Sequence, residues 1–169
     1  MMKKGKKEVV KLKKIKKRFG VGDAENYALN GVDLTIYQGE FIIIMGPSGC
    51  GKTTLLNTIG LLDRSTEGTY MLDSYDVSRM SKRKQAQIRS EKIGFVFQDF
   101  NLIPRLSVIE NVALPLIYKG ENKTKRLKKA SEILKQFHLE KREYYMPWQL
   151  SGGQTQRVAI ARALVNNPS

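Results

Sequence analysis

The stretch that most constrains the fold of this sequence lies at residues 46–53 and reads Gly-Pro-Ser-Gly-Cys-Gly-Lys-Thr. An apolar run at 41–45 precedes it, and residues 54–59 have the pattern of a helix start. This order of strand, glycine-rich turn and helix N-terminus fits the spacing G-x-x-x-x-G-K-[ST], the P-loop. The alternative is an ordinary loop before a helix, but all three parts sit where the motif requires them.

A P-loop predicts a site for the phosphates of a nucleoside triphosphate. Glycines let the backbone bring its N–H groups close to an anion, and the helix N-terminus adds unpaired N–H groups and a partial positive charge. The lysine can reach the terminal phosphates, and the threonine hydroxyl can bind Mg²⁺. The predicted phosphate-binding residues are Gly46, Pro47, Ser48, Gly49, Cys50, Gly51, Lys52, Thr53 and Thr54. The motif alone does not distinguish a kinase, a GTPase and a motor.

Composition sets wider limits on the class of protein. A chain of 169 residues with 41% hydrophobic residues is long enough for one domain with a buried core. We expect no signal peptide, because no apolar stretch follows the basic N-terminus, and no run approaches the length of a membrane span. One cysteine, Cys50, allows no internal disulfide and suits a reducing compartment, so we expect a cytoplasmic protein.

The net charge of +14 is concentrated at the start of the chain, in Lys3, Lys4, Lys6, Lys7, Lys11, Lys13, Lys14, Lys16, Lys17 and Arg18. Such a run could contact nucleic acid or anionic lipid headgroups. A solvated terminus and the outer face of an edge strand are the favoured interpretation, because charge runs are usually solvated. No aromatic residues lie among the first lysines, so a base-stacking platform is not indicated and no specific nucleic-acid partner is expected.

Hydrophobic patterning predicts strands at 8–15, 28–36, 41–45, 69–72 and 93–97. The first is expected at a sheet edge with Val10, Leu12 and Lys14 on one face, and 41–45 is expected to be buried on both faces. Helices are predicted from 52 to about 60, at 81–91, from 107, at 125–137 and from 151 to 164. Ser81 is the expected N-cap of the helix at 81–91, and Ser107 is the expected N-cap of the helix that follows it. Pro115 is expected to bend or end the helix that begins at Ser107. A turn is expected at 20–23.

A second motif decides the class. Residues 150–157 read Leu-Ser-Gly-Gly-Gln-Thr-Gln-Arg, so a serine and two glycines open a helix and leave N–H groups and a hydroxyl at its positive end. Alone, this pattern could be a helix cap after a loop. Together with the P-loop, it makes the chain resemble the ATP-binding-cassette (ABC) family, whose signature motif reads LSGGQ.

The resemblance implies an α/β fold: a P-loop NTPase (RecA-like) core with an antiparallel β subdomain and an inserted α-helical subdomain. The whole chain, 1–169, would be one nucleotide-binding domain, with the core and β subdomain at 1–98, the helical subdomain at 99–150 and the signature helix at 151–169. In this family the signature of one subunit closes over the ATP held by the P-loop of a second subunit, in a head-to-tail dimer. The residues that match the signature are Ser151, Gly152, Gly153 and Gln154.

Two further positions match family residues. Gln98 sits where the family has its Q-loop glutamine, which would contact Mg²⁺ and position the attacking water; a strand-end glutamine without a role is the alternative. Phe19 sits where the family carries an aromatic that stacks on adenine. Tyr27 is a second candidate stacker, and simple core packing is the alternative for both. His138 matches no family residue and is expected at the surface.

Several stretches, among them 60–63, 93–98, 100–104 and 110–116, look like the ATPases that serve lipoprotein release, macrolide or peptide-antibiotic export, and a related cell-division pair. The resemblance therefore implies an ATPase at the cytoplasmic face of the membrane, bound to an integral membrane permease and to a second ABC subunit, with ATP and Mg²⁺ as cofactors. The alternatives are an ATP-gated regulatory subunit of a cell-division-type complex and an inactive, truncated nucleotide binder.

The sequence departs from the family pattern at its end. The 169 residues contain neither the apolar strand that carries the Walker B Asp-Glu in this family nor the switch histidine that lies beyond that strand. The C-terminal part of the core and the catalytic glutamate are thus expected to be missing. A carboxylate base contributes roughly 10²–10⁴-fold to rate, so we expect weak or no ATP hydrolysis from this chain alone.

Overall fold

The computed structural model describes residues 6–20 and 26–169. Its elements are β1 (Glu8–Phe19), β2 (Asn26–Tyr37), α1 (Lys52–Ile59), β3 (Glu67–Leu72), β4 (Tyr75–Asp76), α2 (Lys82–Lys92), α3 (Val108–Tyr118), α4 (Lys123–Gln136) and α5 (Gly152–Leu164). The predicted turn at 20–23 lies outside the described residues after Gly20, as do Lys3 and Lys4 of the basic run. The chain divides into two compact units, Met1–Ala86 with Ser169 and Gln87–Pro168.

The first unit is built on an antiparallel sheet in the order β2-β1-β3-β4. β1 pairs with β2 along its whole length and with β3 on its other side, so the prediction of an edge strand at 8–15 is wrong. The lysine-rich pattern suggested an exposed edge, but those lysines are partly neutralised where they lie: Lys16 pairs with Glu67 at 3.0 Å and Lys17 with Asp63 at 2.6 Å. Charged side chains can therefore line a central strand whose outer face is wet.

A bulge interrupts β1 at Lys14, whose φ is 49°. Leu12 and Ile15, three residues apart, are both buried, whereas Lys14 is exposed and its N–H donates to Asp33 Oδ1 at 2.9 Å. The expectation that Lys14 shares a face with Val10 and Leu12 is therefore wrong, because an inserted residue resets the two-residue alternation.

The predicted strands at 41–45 and 93–97 do not form. Residues 41–45 and 93–97 make no ladder with any described strand, and Phe41 and Met45 are 89% and 83% exposed, so the expected burial is wrong for them. Hydrophobic side chains supply apolar surface, but a buried strand also requires neighbours that pair its N–H and C=O groups. Gly94 nevertheless has a packing role, since a Cβ there would lie 2.4 Å from the Ala163 carbonyl oxygen of α5.

The second unit is a helical layer in which α3, α4 and α5 share one apolar core, and the residues buried in it are Val108, Ile109, Val112, Ala113, Ala130, Leu134, Leu139, Val158 and Ala161. The predicted capping pair is confirmed, since the Ser107 N–H and hydroxyl both donate to Glu110, at 2.9 and 2.7 Å. These bonds hold the pKa of the Glu110 carboxyl below its usual value. Pro115 does not end α3, which continues to Tyr118 around the buried Leu116. No helix among the described residues has both the length and the apolarity to cross a bilayer.

Candidate functional site

The P-loop folds as a glycine turn that leads directly into α1. Gly49 and Gly51 have φ values of 81° and 92°, in the left-handed region that side chains disfavour, and α1 begins at Lys52. The predicted start of the helix is confirmed. Because a helix leaves its first four N–H groups without intrahelical partners, the turn and the first residues of α1 present a set of amide donors.

Gly51 also fixes where the loop lies. A Cβ at this position would sit 2.3 Å from the carbonyl oxygen of Ala28 and 3.3 Å from Leu29 Cδ2, both on β2. The loop therefore rests against the backbone of β2, and only glycine allows this approach.

Lys52 points back into its own loop. Its Nζ donates to the carbonyl oxygens of Gly46 at 2.8 Å and Pro47 at 2.5 Å, and lies 3.7 Å from Cys50 Sγ. No carboxylate of the described residues is within ion-pair distance of this ammonium. The loop thus surrounds a positive charge that carbonyl dipoles hold but do not neutralise. This arrangement favours the binding of a polyanion.

These residues fit a triphosphate with its metal ion. Amide donors and an ammonium such as that of Lys52 are chemical groups of the kind that bind phosphate oxygens in proteins, and the exposed, hydroxyl-bearing Thr53 follows directly at the second position of α1. Gly46 completes the cradle, since a Cβ there would lie 2.7 Å from Cys50 Sγ. Mg²⁺ is typically held by one or two protein oxygens together with substrate phosphates, so a single hydroxyl is an adequate protein contribution.

Both candidate adenine-stacking residues lie at the end of the β1–β2 hairpin. Phe19 and Tyr27 are 50% and 42% exposed, so neither is a core residue. Lys17 lies over the Phe19 ring, with Nζ 5.0 Å from the ring centroid, and Arg18 lies over the Tyr27 ring at 6.0 Å. Tyr27 adjoins the Ala28 that Gly51 contacts, so this aromatic end of the hairpin is next to the P-loop.

The signature stretch opens α5, as the sequence predicts, and Ser151 caps the helix. The Ser151 side chain accepts a hydrogen bond from the Gln154 N–H at 3.4 Å, and the Ser151 N–H donates to Gln154 Oε1 at 2.9 Å. Gly152 and Gly153 are exposed, and a Cβ at either would meet nothing within 4 Å. The described structure therefore gives no packing reason for two glycines in the first turn of a helix, where glycine is unfavourable.

Gln98 is exposed in a turn of the second unit, and His138 is exposed as expected. Two side chains that sequence reasoning did not single out hold the loop after Gln98. Asn111 is fully buried, accepts from the Ile103 N–H at 2.7 Å and donates to the carbonyls of Ile103, Leu106 and Ser107.

The second of these side chains is Arg162 of α5, which donates to the carbonyls of Phe100 and Asn101 at 2.6 and 2.7 Å. Partial burial lowers the pKa of this guanidinium below its usual value. Its position in an otherwise apolar helical stretch, residues 158–164, is the only sequence signal that could have pointed to it.

Comparison with known proteins gives consistent matches. The sequence model of the family described as "ABC transporter" matches residues 29–169. The lipoprotein-releasing system ATP-binding protein LolD of Shewanella frigidimarina is 44% identical over 160 residues, which are 95% of this chain and 67% of that protein. The macrolide export ATP-binding/permease protein MacB of Shigella flexneri is 45% identical over 158 residues, 94% of this chain and 24% of that protein.

A solved structure gives the same result for the fold. The dimer of the ATP-binding cassette MJ0796 in a post-hydrolysis state, bound to ADP and Pi, superposes with a TM-score of 0.85 at 51% sequence identity. The match covers 95% of this chain and 71% of that one. An MJ0796 protein of Methanocaldococcus jannaschii is also among the sequence relatives, at 52% identity over 167 residues, covering 95% of this chain and 70% of that protein.

Proposed function

This chain belongs to the ABC transporter family as an ATP-binding subunit with the P-loop NTPase fold, and from that premise we propose that it drives a membrane permease which exports or extracts a peptide, an antibiotic or a lipid-linked substrate. The names of LolD and MacB, which refer to lipoprotein release and macrolide export, support the choice of this branch. Such a subunit would work at the cytoplasmic face of the membrane, attached to its permease.

The observation that carries the nucleotide-binding part of the proposal is the geometry of Lys52. An ammonium that donates to the Gly46 and Pro47 carbonyls inside its own loop is ready to exchange those acceptors for phosphate oxygens, which bind it more strongly because they are charged. The amide donors of residues 49–54 would bind the remaining phosphate oxygens. Thr53 would supply one oxygen to Mg²⁺, which neutralises charge between the phosphates.

The second nucleotide contact would come from the signature stretch of another subunit. Gly152 and Gly153 leave the N-terminus of α5 open, so a phosphate could approach the backbone N–H groups closely. The dimeric, nucleotide-bound form of the MJ0796 cassette supports pairing of two copies around nucleotide. ATP binding would then bring two subunits together, and their separation after hydrolysis would complete the cycle that drives the permease.

Two expectations rest on family resemblance alone and stay predictions. These are the role of Gln98 towards Mg²⁺ and the attacking water, and the stacking of adenine on Phe19 with Tyr27 as the alternative.

The direct test of the proposed site is equilibrium binding of Mg·ATP to the purified chain and to Lys52→Ala. Loss of a charge-assisted contact to phosphate should weaken binding about 10- to 100-fold. Lys135→Ala is the matched control, because Lys135 is an exposed lysine of α4 and its loss should leave the dissociation constant unchanged. Equal ATP affinities for Lys52→Ala and the parent chain would contradict the proposed site.

The permease partner needs a separate experiment. Resemblance to the family also implies that the loop at Gln98 touches the permease, so a photo-crosslinking residue at the adjacent, exposed Asp99 should capture an integral membrane protein in native membranes. The same probe at Ser81, an exposed residue of the first unit directly before α2, serves as the comparison site. Capture of soluble proteins only, or equal capture from both sites, would contradict the coupling proposed here.

A further inference from the structure

The loop that follows Gln98 has an unusual backbone. Phe100 and Asn101 are adjacent non-glycine residues, and both have positive φ, 58° and 46°. Asparagine adopts this left-handed conformation more readily than most residues, but for a bulky residue such as Phe100 it is an outlier that persists only where surrounding contacts enforce it. Contacts from surrounding groups must therefore hold the backbone of Phe100 and Asn101 in this conformation.

Arg162 is the side chain in position to do so. Its Nη2 donates to the Phe100 carbonyl at 2.6 Å and its Nη1 to the Asn101 carbonyl at 2.7 Å, so one planar guanidinium spans two consecutive carbonyls. A forked, permanently charged donor suits this task better than any other side chain. The bond is long-range in sequence, joining residues about sixty positions apart.

Arg162 belongs to α5, whose first residues are the signature stretch. Val158, Ala159 and Ala161 of the same helix are buried, so α5 is a fixed part of the second unit. Ser151 at its N-cap and Arg162 near its C-terminus are thus connected by a single packed helix.

We infer that Arg162 is a positioning residue that fixes the Gln98 loop to the signature helix, so that the two motifs move as one body when the signature meets nucleotide. This inference deepens the proposed function, because it assigns a residue that carries movement between the two motifs. The buried Asn111 holds the later part of the same loop, at Ile103 and Leu106. The N–H groups of residues 100 and 101 donate to backbone carbonyls within the loop, and their own carbonyls accept from Arg162.

The first test uses amide hydrogen exchange of the whole chain without nucleotide, so it does not depend on the ATP site. Arg162→Gln should make the amides of residues 99–102 exchange about tenfold faster or more, because loss of two charge-assisted bonds frees a strained segment. Peptides from the core of α3 and α4 should exchange as in the parent chain. Arg162→Lys, which keeps the charge and the aliphatic stem, should restore part of the protection.

Arg105→Gln is the matched control, since Arg105 is an exposed arginine of the same loop and does not contact the two carbonyls. It should leave exchange at 99–102 unchanged. Unchanged exchange in Arg162→Gln would overturn the inference. So would an equal loss of protection in the loop and in the α3–α4 core of both Arg162 variants, because that pattern describes a residue needed only for folding.

The second test separates positioning from nucleotide binding. Arg162→Lys should bind Mg·ATP with the affinity of the parent chain, whereas its ATP-driven self-association should weaken by about tenfold. An unchanged self-association together with a loosened loop would show that the signature helix does not sense the Gln98 loop, and would overturn the inference. If the parent chain itself does not bind ATP, the proposed function fails, while the exchange experiment still decides the role of Arg162 in the loop.

Discussion

The Tyr70 hydroxyl of β3 donates a 2.7 Å hydrogen bond to the carbonyl oxygen of Ile59, the last residue of α1. Tyr70 is buried, and burial raises the pKa of its phenol above the usual range. The end of the P-loop helix is thereby fastened to the antiparallel sheet.

Replacing Tyr70 by phenylalanine tests this link. The ring would still pack, but the Ile59 carbonyl would lose a partner in a buried setting, so the free energy of unfolding should fall by about 1–2 kcal/mol. Tyr75→Phe is the control, since Tyr75 is 49% exposed, and it should change stability little. Chemical denaturation of the three proteins measures both effects, and equal stabilities would show that the Tyr70 bond contributes nothing.

Gly51→Ala tests the contact between the P-loop and β2. A methyl group would meet the Ala28 carbonyl at 2.3 Å in addition to the cost of a positive φ. We expect a loss of about 2–4 kcal/mol, combining overpacking with backbone strain, and a displaced loop that binds ATP weakly.

Gly120→Ala separates the two costs, because Gly120 also has a positive φ, 75°, but nothing lies within 4 Å of its Cβ position. It should lose only about 1–2 kcal/mol. Urea titrations measure the free energy of unfolding of both variants. If Gly51→Ala is no more destabilising than Gly120→Ala, the close approach of Gly51 to Ala28 does not contribute to the cost of the substitution.

Gly152→Ala should raise the thermal stability of the chain and at the same time weaken its ATP-driven dimerisation. Alanine is favoured over glycine in helices by up to about 1 kcal/mol, and the methyl group would meet nothing within the chain. The same methyl group would obstruct a phosphate that approaches α5 from a second subunit. Thermal unfolding should therefore occur at a slightly higher temperature, while ATP-driven dimerisation, followed by light scattering, should weaken; a variant that dimerises as well as the parent would argue against a ligand at this helix end.

Cys50 offers a chemical probe of the P-loop. Its exposed Sγ lies over Gly46 and 3.7 Å from Lys52 Nζ, so an alkyl adduct would occupy the space where phosphate is expected. Alkylation with N-ethylmaleimide should abolish ATP binding, and bound ATP should slow the labelling. Cys50→Ala should bind ATP and resist the reagent, whereas equal labelling rates with and without ATP would place the nucleotide elsewhere.

The local motifs were predictable from sequence because their geometry is short-range. The start of α1 at Lys52 follows from the glycine spacing, and the caps at Ser107 and Ser151 follow from the Glu110 and Gln154 three residues later. The same holds for α4, where Leu127, Ala130, Leu134 and Phe137, spaced three or four residues apart as on one face of a helix, all pack against the core.

The long-range features were not predictable. The pairing of β3 with the second side of β1 joins residues more than fifty positions apart in the sequence. The bulge at Lys14 depends on a local change of register within β1. The β3–β4 hairpin turns at Asp73 and Ser74, both with positive φ, without the Asn-Gly or Asp-Gly pair that usually marks such a turn. Arg162 contacts two carbonyls about sixty residues away, which no spacing rule reveals.

The central claim is that residues 46–54 hold the phosphates of ATP, and an amide footprint by NMR tests it most directly. Addition of Mg·ATP to the chain should shift the backbone amides of Gly49, Gly51, Lys52 and Thr53 more than those of Asp73 and Ser74 at the turn between β3 and β4. Adenosine, which lacks phosphates, should leave the P-loop amides in place. If ATP leaves the P-loop amides unshifted, or if adenosine shifts them equally, the loop is not a phosphate site and the account fails.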